Sequence, residues 1–266
     1  MSVIGIDIGS STTKIIEYAE NRIINKDIVT NKNVEQILEE FLNRNNINTK
    51  QIEKIVVTGI GADKLKNNKY NIPIDVVEEF KAIATGGLYL SDKKEALIVS
   101  IGTGTAFVKA SNNEIKHIGG TGVGAGTLTN LCNKFCNANS FEDIIQLSKQ
   151  GDLSKIDLRI GDKTTEKIDT LPYDLTLANF GNLSKEATSE DIALGILNMI
   201  SEVIGMMAAF AIKNDTIKDV VLIGNIAVIP SVKRILKKIE ETQNITFIVP
   251  ENAEFGVIIG AIQNSL

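Results

Sequence analysis

Two short stretches of this 266-residue chain carry small turn residues of the kind that phosphate chemistry requires, one of them beside a carboxylate. In GIDIGSSTTK, Asp7 interrupts an apolar strand just before a turn made of Gly9, Ser10, Ser11 and Thr12. In SIGTGT, the residues Gly102, Thr103, Gly104 and Thr105 repeat that turn. Backbone amides of such a turn can converge on phosphate oxygens without any side-chain charge. A carboxylate beside them can hold Mg²⁺, usually through water, because that ion keeps part of its hydration shell. Asp7 is expected to be that carboxylate, since a strand normally avoids a buried unpaired acid; a cap on its own turn is the alternative. Lys14, on the following strand, either reaches the same phosphates or lies in solvent. GGTGVGAGT, with Gly119, Gly122, Gly124 and Gly126, precedes a helical pattern. Its amides could meet an anion at the helix N-terminus, or the stretch is a plain flexible loop. The chain contains neither GxxxxGK(S/T) nor GxGxxG.

These groups sit on a repeated framework. IGIDIG alternates at period two, TTKIIEYAE follows a tight turn, and NRIINKDIVT continues the chain as a third strand, which predicts an antiparallel meander. The same pattern returns across EALIVSIGTGTAFVKASNNEIKHIGGTG, with Lys109 standing for Lys14. Such repetition reads as an internal duplication. The expectation is an α/β protein of two lobes, 1–94 and 95–266, whose matched turns face one cleft. NVEQILEEFLNRN is helical, with Val34, Ile37, Leu38, Phe41 and Leu42 on one face, and IEKIVVTGIGA is a buried strand ending in glycines. PIDVVEEFKAIATGGLYL reads as a helix stopped by Gly86 and Gly87. Further helices fall near 123–135, 141–149 and 190–213. Strand DVVLIGN, helix VIPSVKRILKKIEE, strand ITFIV and helix EFGVIIGAIQNS follow, the last packing back on the first lobe. The weak pattern between 149 and 190, with YDLTLANFGN, predicts a structured loop.

Composition narrows the class of function. With 28 basic against 33 acidic residues the net charge is −5, and no basic run tracks a phosphate backbone, so nucleic acid is not an expected partner. A hydrophobic fraction of 43% is ample for a chain of this size, which typically buries about three quarters of its unfolded surface. Met1 leads straight into a strand pattern without the basic segment of a signal peptide, which predicts a cytoplasmic protein. Cys132 and Cys136, four apart on a helix, read as reduced thiols. The apolar stretch from Ile192 to Ile212 has the length of a membrane span. Asn198, Ser201 and Glu202 interrupt it, however, and a lone acid in a bilayer is costly. It is expected to be a buried or dimer-forming helix, with no membrane partner.

Taken together, GIDIGSSTTK, SIGTGT and VVLIGN resemble the phosphate and adenosine motifs of the actin-like ATPase and sugar kinase superfamily. The resemblance implies a duplicated ribonuclease H-like fold, with ATP between the lobes and Gly224 and Asn225 on the adenosine side. Within that superfamily, IGTGTAFVK, GGTGVGAGT, YDLTLANFGN and PENAEFGVIIGAI resemble type II pantothenate kinases over nearly the whole chain. That family transfers the ATP γ-phosphate to the primary hydroxyl of pantothenate, with Mg²⁺, as a homodimer. Its general base is a Glu in an E-F-D-A-like context on the helix after the first lobe's last strand. Glu79-Phe80 in VVEEFKAIATGG matches this better than Glu78. The implied acceptor contacts are Glu79, Thr103, Thr105, His117 and Gly119. Two positions depart from the family: Lys81 replaces an Asp, and His117, beside Lys116, replaces the Arg that helps to hold the pantothenate carboxylate. A neutral His lacks the fixed donor fork of Arg.

Three other readings compete. The chain also resembles ATPase activators of 2-hydroxyacyl-CoA dehydratases in GIDIGSSTTK, but their cluster cysteine belongs to a KCAAGTGRF-like string where this chain reads HIGGTGVGAG. Kinases for N-acetyl sugars often carry a zinc cluster, which one His and two Cys cannot supply. A silent ATP-sensing scaffold of the same fold is a third class, against which the intact turns, Asp7 and Glu79 argue.

Overall fold

The computed structural model describes residues 1–30, 33–166 and 172–266. Strands β1 (Ser2–Ile8), β2 (Thr12–Ala19) and β3 (Arg22–Thr30) form the antiparallel meander that period-two alternation predicts. Glu20 and Asn21, both at positive φ, make the tight hairpin between β2 and β3, as two-residue hairpin turns require. Ile4, Ile6 and Ile8 of β1 pack on Ile37, Leu38 and Phe41 of α1 (Val34–Arg44). The intervening residues Val3, Gly5 and Asp7 therefore face the opposite side of the sheet. Strand β4 (Ile52–Thr58) lies parallel to β1, and β5 (Ile74–Val76) parallel to β4, which completes the order β3-β2-β1-β4-β5. Helix α2 (Glu79–Ser91) follows.

The second half rebuilds this plan. Strands β6 (Glu95–Ile101), β7 (Thr105–Ser111) and β8 (Ile115–Thr121) form a second meander. Helices α3 (Ala125–Cys136) and α4 (Phe141–Gln150), the two-strand ladder β9 (Leu158–Arg159) and β10 (Thr176–Ala178), and helix α5 (Ser189–Ala211) come next. Strand β11 (Asp219–Gly224) pairs parallel with β6; α6 (Pro230–Gln243), β12 (Thr246–Ile248) and α7 (Gly256–Ser265) close the chain. Read from its far edge, the second sheet is β8-β7-β6-β11-β12, the order and strand directions of the first. The duplication is present strand for strand, with α2 and α7 as equivalent final helices. They pack against each other, and α7 also lies on β1 and β4. The loop expected from 149 to 190 contains the short β9–β10 ladder, and its residues 167–171 lie outside the described residues.

Two expectations need correction. First, PIDVVEEFKAIATGGLYL is not one helix: Ile74–Val76 is a strand, and α2 starts at Glu79 and runs through Gly86 and Gly87 to Ser91. Gly86 marks where α2 crosses α7, because a Cβ there would collide with the carbonyl oxygen of Gly256, and one at Gly260 with that of Ala82; Gly87 lies against Ile98 of β6. Close helix approach outweighs the roughly 1 kcal/mol propensity cost of glycine within a helix. Second, Lys109 is not the counterpart of Lys14. Lys14 sits opposite Asp7 on β1, whereas Lys109 sits opposite Leu97, far from its turn, and pairs with Asp215. The register equivalents of Asp7 and Lys14 are Ser100 and Ala106, so at these two positions only the first half carries a charge pair. Helix α5, expected to be buried or dimer-forming, is the central helix of the second half's core. Ala193, Leu197, Ile200 and Ile204 are buried among α3, α4 and α6, while Val203 and Phe210 are exposed.

Candidate active site

The two glycine-hydroxyl turns meet. Ser10 Oγ donates to Thr103 Oγ1 at 2.8 Å, and Ser11 Oγ lies 3.0 Å from the same oxygen. The first turn is closed by the Gly9 N–H donating to the Thr12 carbonyl at 3.1 Å, and a Cβ on Gly9 would sit 2.8 Å from that oxygen. The second is held from behind by α3, whose first amides, Ala125 and Gly126, donate to the carbonyls of Gly102 and Thr103 at 2.8 and 3.0 Å. These amides are thus engaged by the turn rather than free for an anion, and the N-terminus of α3 orients the turn. Gly124 allows that contact, since a Cβ there would lie 2.7 Å from the Thr103 carbonyl and 2.8 Å from that of Gly102. Gly104 lies over the Thr121 carbonyl. Thr105 is buried, its hydroxyl donating to the Val123 carbonyl at 2.8 Å. Gly119 (φ 152°) and Gly122 have open space where a Cβ would be.

Asp7 and Lys14 are register partners at the cleft end of β1 and β2. Lys14 is buried and donates from Nζ to the Glu254 carbonyl at 2.5 Å, so it ties the first sheet to the turn preceding α7. Burial pushes the Asp7 carboxyl up, and the Lys14 ammonium works against that shift. Burial likewise lowers the Lys14 pKa, opposed by Asp7 and Glu254. On the other side of Asp7 stands Thr58, its register partner on β4. Gly59 follows at φ 90°, where a Cβ would lie 2.6 Å from Asp7 Oδ1. Sequence reasoning missed Thr58, Gly59 and Glu254; the Thr-Gly pair closing a buried strand was the available signal for the first two.

Glu79 opens α2. Glu78 caps that helix, its two carboxylate oxygens accepting the Phe80 and Lys81 N–H groups at 3.0 and 2.8 Å, a common way to satisfy free amides at a helix start. Glu79 is left half-buried and without that duty. Burial raises its pKa, and the negative charges of Asp7 and Glu78 raise it further. A base poised in this way is a feature of functional carboxylates. The next residue, Phe80, stacks on His117 with ring centroids 4.0 Å apart and planes at 13°. His117, on β8, is thereby placed against the residue that follows Glu79.

Gly224 and Asn225 close β11 beside the second turn, Gly224 pairing with Ile101. At Gly224, φ is 106° and a Cβ would strike the Ile101 carbonyl, so only glycine fits. Asn225 Oδ1 is buried without a hydrogen-bond partner. Among the described residues, no three His, Cys, Asp or Glu side chains gather as a metal cage. Mg²⁺ in phosphoryl transfer needs no such cage, because nucleotide phosphates, waters and one carboxylate suffice. Asp7, facing the turns, fits that demand.

Comparisons with known proteins agree with this geometry. A type II pantothenate kinase from Bacillus cereus (strain G9842) is 28% identical over 270 residues, covering 97% of each chain. Among solved structures, the activator of the 2-hydroxyisocaproyl-CoA dehydratase from Clostridium difficile, with bound ADPNP, superposes at a TM-score of 0.66. It is 18% identical over 98% of this chain and 92% of its own. A ROK family glucokinase from Streptomyces griseus, in complex with glucose and AMPPNP, gives 0.60 at 11% identity over 99% of both chains. The fold is the two-lobed one of actin-like ATPases and ROK kinases. The family pattern described as Fumble matches residues 95–240, more than half of the sequence, and the chain belongs to the Fumble family.

Proposed function

We propose that this chain transfers the γ-phosphate of ATP to the primary hydroxyl of pantothenate, an early reaction of coenzyme A synthesis. The observation that carries the mechanism is the half-buried Glu79, with its raised pKa, at the start of α2 beside Asp7 and the paired turns. Phosphoryl transfer asks little covalent chemistry of a protein; it asks for positioning and for stabilisation of charge on the phosphate oxygens. Gly9 to Thr12 and Gly102 to Thr105 offer amides and hydroxyls to the phosphates, and Gly224 and Asn225 lie on the nucleoside side. Asp7 would hold Mg²⁺, through water, and the cation would neutralise phosphate charge. Glu79 takes the proton of the acceptor hydroxyl. His117, its imidazole fixed by the Phe80 ring, would meet the acceptor's carboxylate, whereas Lys116, the next residue along β8, lies beside Lys109 and Asp215.

The two-lobe division at 1–94 and 95–266 belongs to this proposal, with α2 and α7 crossing between the lobes. So does a homodimer: Ile192, Met199, Val203, Met206 and Phe210 form one incompletely buried apolar stripe along α5. The dehydratase-activator reading is disfavoured by the burial of Cys132 and Cys136 within the α3–α5 core, out of reach of a cluster shared between copies. A coupled ADP-release assay across pantothenate, pantetheine and N-acetylglucosamine, run with wild type and Glu79→Ala, tests the proposal. Turnover on pantothenate that Glu79→Ala abolishes is the expected result; full turnover by that variant removes Glu79 as the base, and inertness toward pantothenate and pantetheine removes the acceptor assignment.

A further inference from the structure

Thr58 is wholly buried at the last position of β4, and its Oγ1 has no hydrogen-bond partner. Buried hydroxyls nearly always have one, and an exception in a native protein calls for an explanation. Its location supplies one. In the parallel β1–β4 pair Thr58 stands opposite Asp7, and register partners share a face of the sheet. Val56, two residues earlier, packs with α2 and α7, so that face is the one that Asp7 and Lys14 present to the cleft. The chain then turns sharply at Gly59, which passes so close to Asp7 that no side chain fits between them. Asp7 is thus flanked by a cation on β2 and a neutral, unused donor on β4.

We propose that Thr58 is a positioning residue for Asp7: its hydroxyl donates to the Asp7 carboxylate when a nucleotide-bound divalent cation occupies the cleft, and so holds that carboxylate toward the cation. The inference rests on the phosphate site proposed above. In the resting protein the buried hydroxyl is retained at a cost; in the loaded protein it satisfies a carboxylate oxygen that Lys14, committed to the Glu254 carbonyl, serves only in part. Groups that orient a metal-binding side chain commonly change metal affinity by about 10- to 100-fold when removed.

The test compares wild type, Thr58→Val and Thr58→Ser. Valine keeps the shape and deletes the hydroxyl; serine keeps the hydroxyl. Binding of Mn²⁺ in the presence of ADP, read by water-proton relaxation, is expected to weaken about tenfold in Thr58→Val and to stay within about twofold in Thr58→Ser. The melting temperature of Thr58→Val without ligand is expected to equal or exceed that of wild type, since an orphaned donor has been removed. Turnover by Thr58→Val should need correspondingly more Mg²⁺, at unchanged KM for the acceptor. A valine variant that binds Mn²⁺–ADP as wild type does overturns the proposal. So does one that melts earlier or fails to fold, because the hydroxyl would then have a structural partner, and so does a serine variant as weak as the valine one. Failure of wild type itself to bind Mn²⁺–ADP would instead overturn the phosphate-site reading.

Discussion

Glu79 shows how a neighbour frees a side chain for chemistry. Because Glu78 satisfies the amides at the start of α2, the adjacent acid keeps its lone pairs for the cleft. Burial and the nearby charges of Asp7 and Glu78 raise its pKa, which strengthens it as a base once ionised. Glu79→Gln is expected to lower kcat by about 10²- to 10⁴-fold while leaving ADP affinity near the wild-type value in a titration. The base works only as a carboxylate, so activity should fall as pH drops through its folded pKa. The acid limb of kcat/KM is therefore expected above about 4.3, the ordinary Glu value, and should vanish in the Gln variant's residual activity.

At the scale of elements, helix packing is governed by what is missing from side chains. Gly86 and Gly260 let α2 and α7 cross backbone to backbone. Alanine normally improves a helix by about 1 kcal/mol over glycine, yet Gly86→Ala is expected to destabilise the protein by about 2 kcal/mol through overpacking, as a lower urea midpoint would show. The start of α5 makes a different case. Asp191 accepts N–H groups from Thr188 and Asp152 and pairs with Lys155 at 3.2 Å. Burial alone would raise its pKa, but these donors overcome that and hold it down to about 2. A depressed carboxylate contributes stability that is complete above its unfolded pKa and is lost as pH falls through the folded one. Asp191→Asn is thus expected to cost about 2 kcal/mol near neutrality, and denaturation curves of the two proteins should converge between pH 4 and pH 2.

On the scale of the whole molecule, duplication builds a cleft that neither half has alone. Each sheet ends its first strand in a glycine-hydroxyl turn, and the approach of Thr103 to Ser10 and Ser11 sets the two face to face. The copies have diverged in charge: Asp7 and Lys14 in the first correspond to Ser100 and Ala106 in the second. In the proposed mechanism, that asymmetry puts the metal-side carboxylate on one wall of the cleft only. The proposed dimer belongs to this scale too. Replacing Val203 and Phe210, the exposed large residues of the α5 stripe, with Glu is expected to yield monomers in sedimentation with the melting temperature nearly unchanged.

Periodicity and repetition in the sequence determined the two meanders, the matched turns and the place of Asp7, because alternation sets faces and each of these signals is local to a few neighbouring residues. The family likeness pointed to Glu79 and His117. Tertiary structure alone decided the rest. Gly86 read as a helix stop until α7, from the far end of the chain, was found against it. Lys109 matched Lys14 in the string but not in strand register. Thr58 looked like an ordinary strand residue until pairing put it beside Asp7. For Gly86 and Thr58 the deciding neighbour lies dozens of residues or more away along the chain, and a local pattern holds no information about which distant backbone will pack against it.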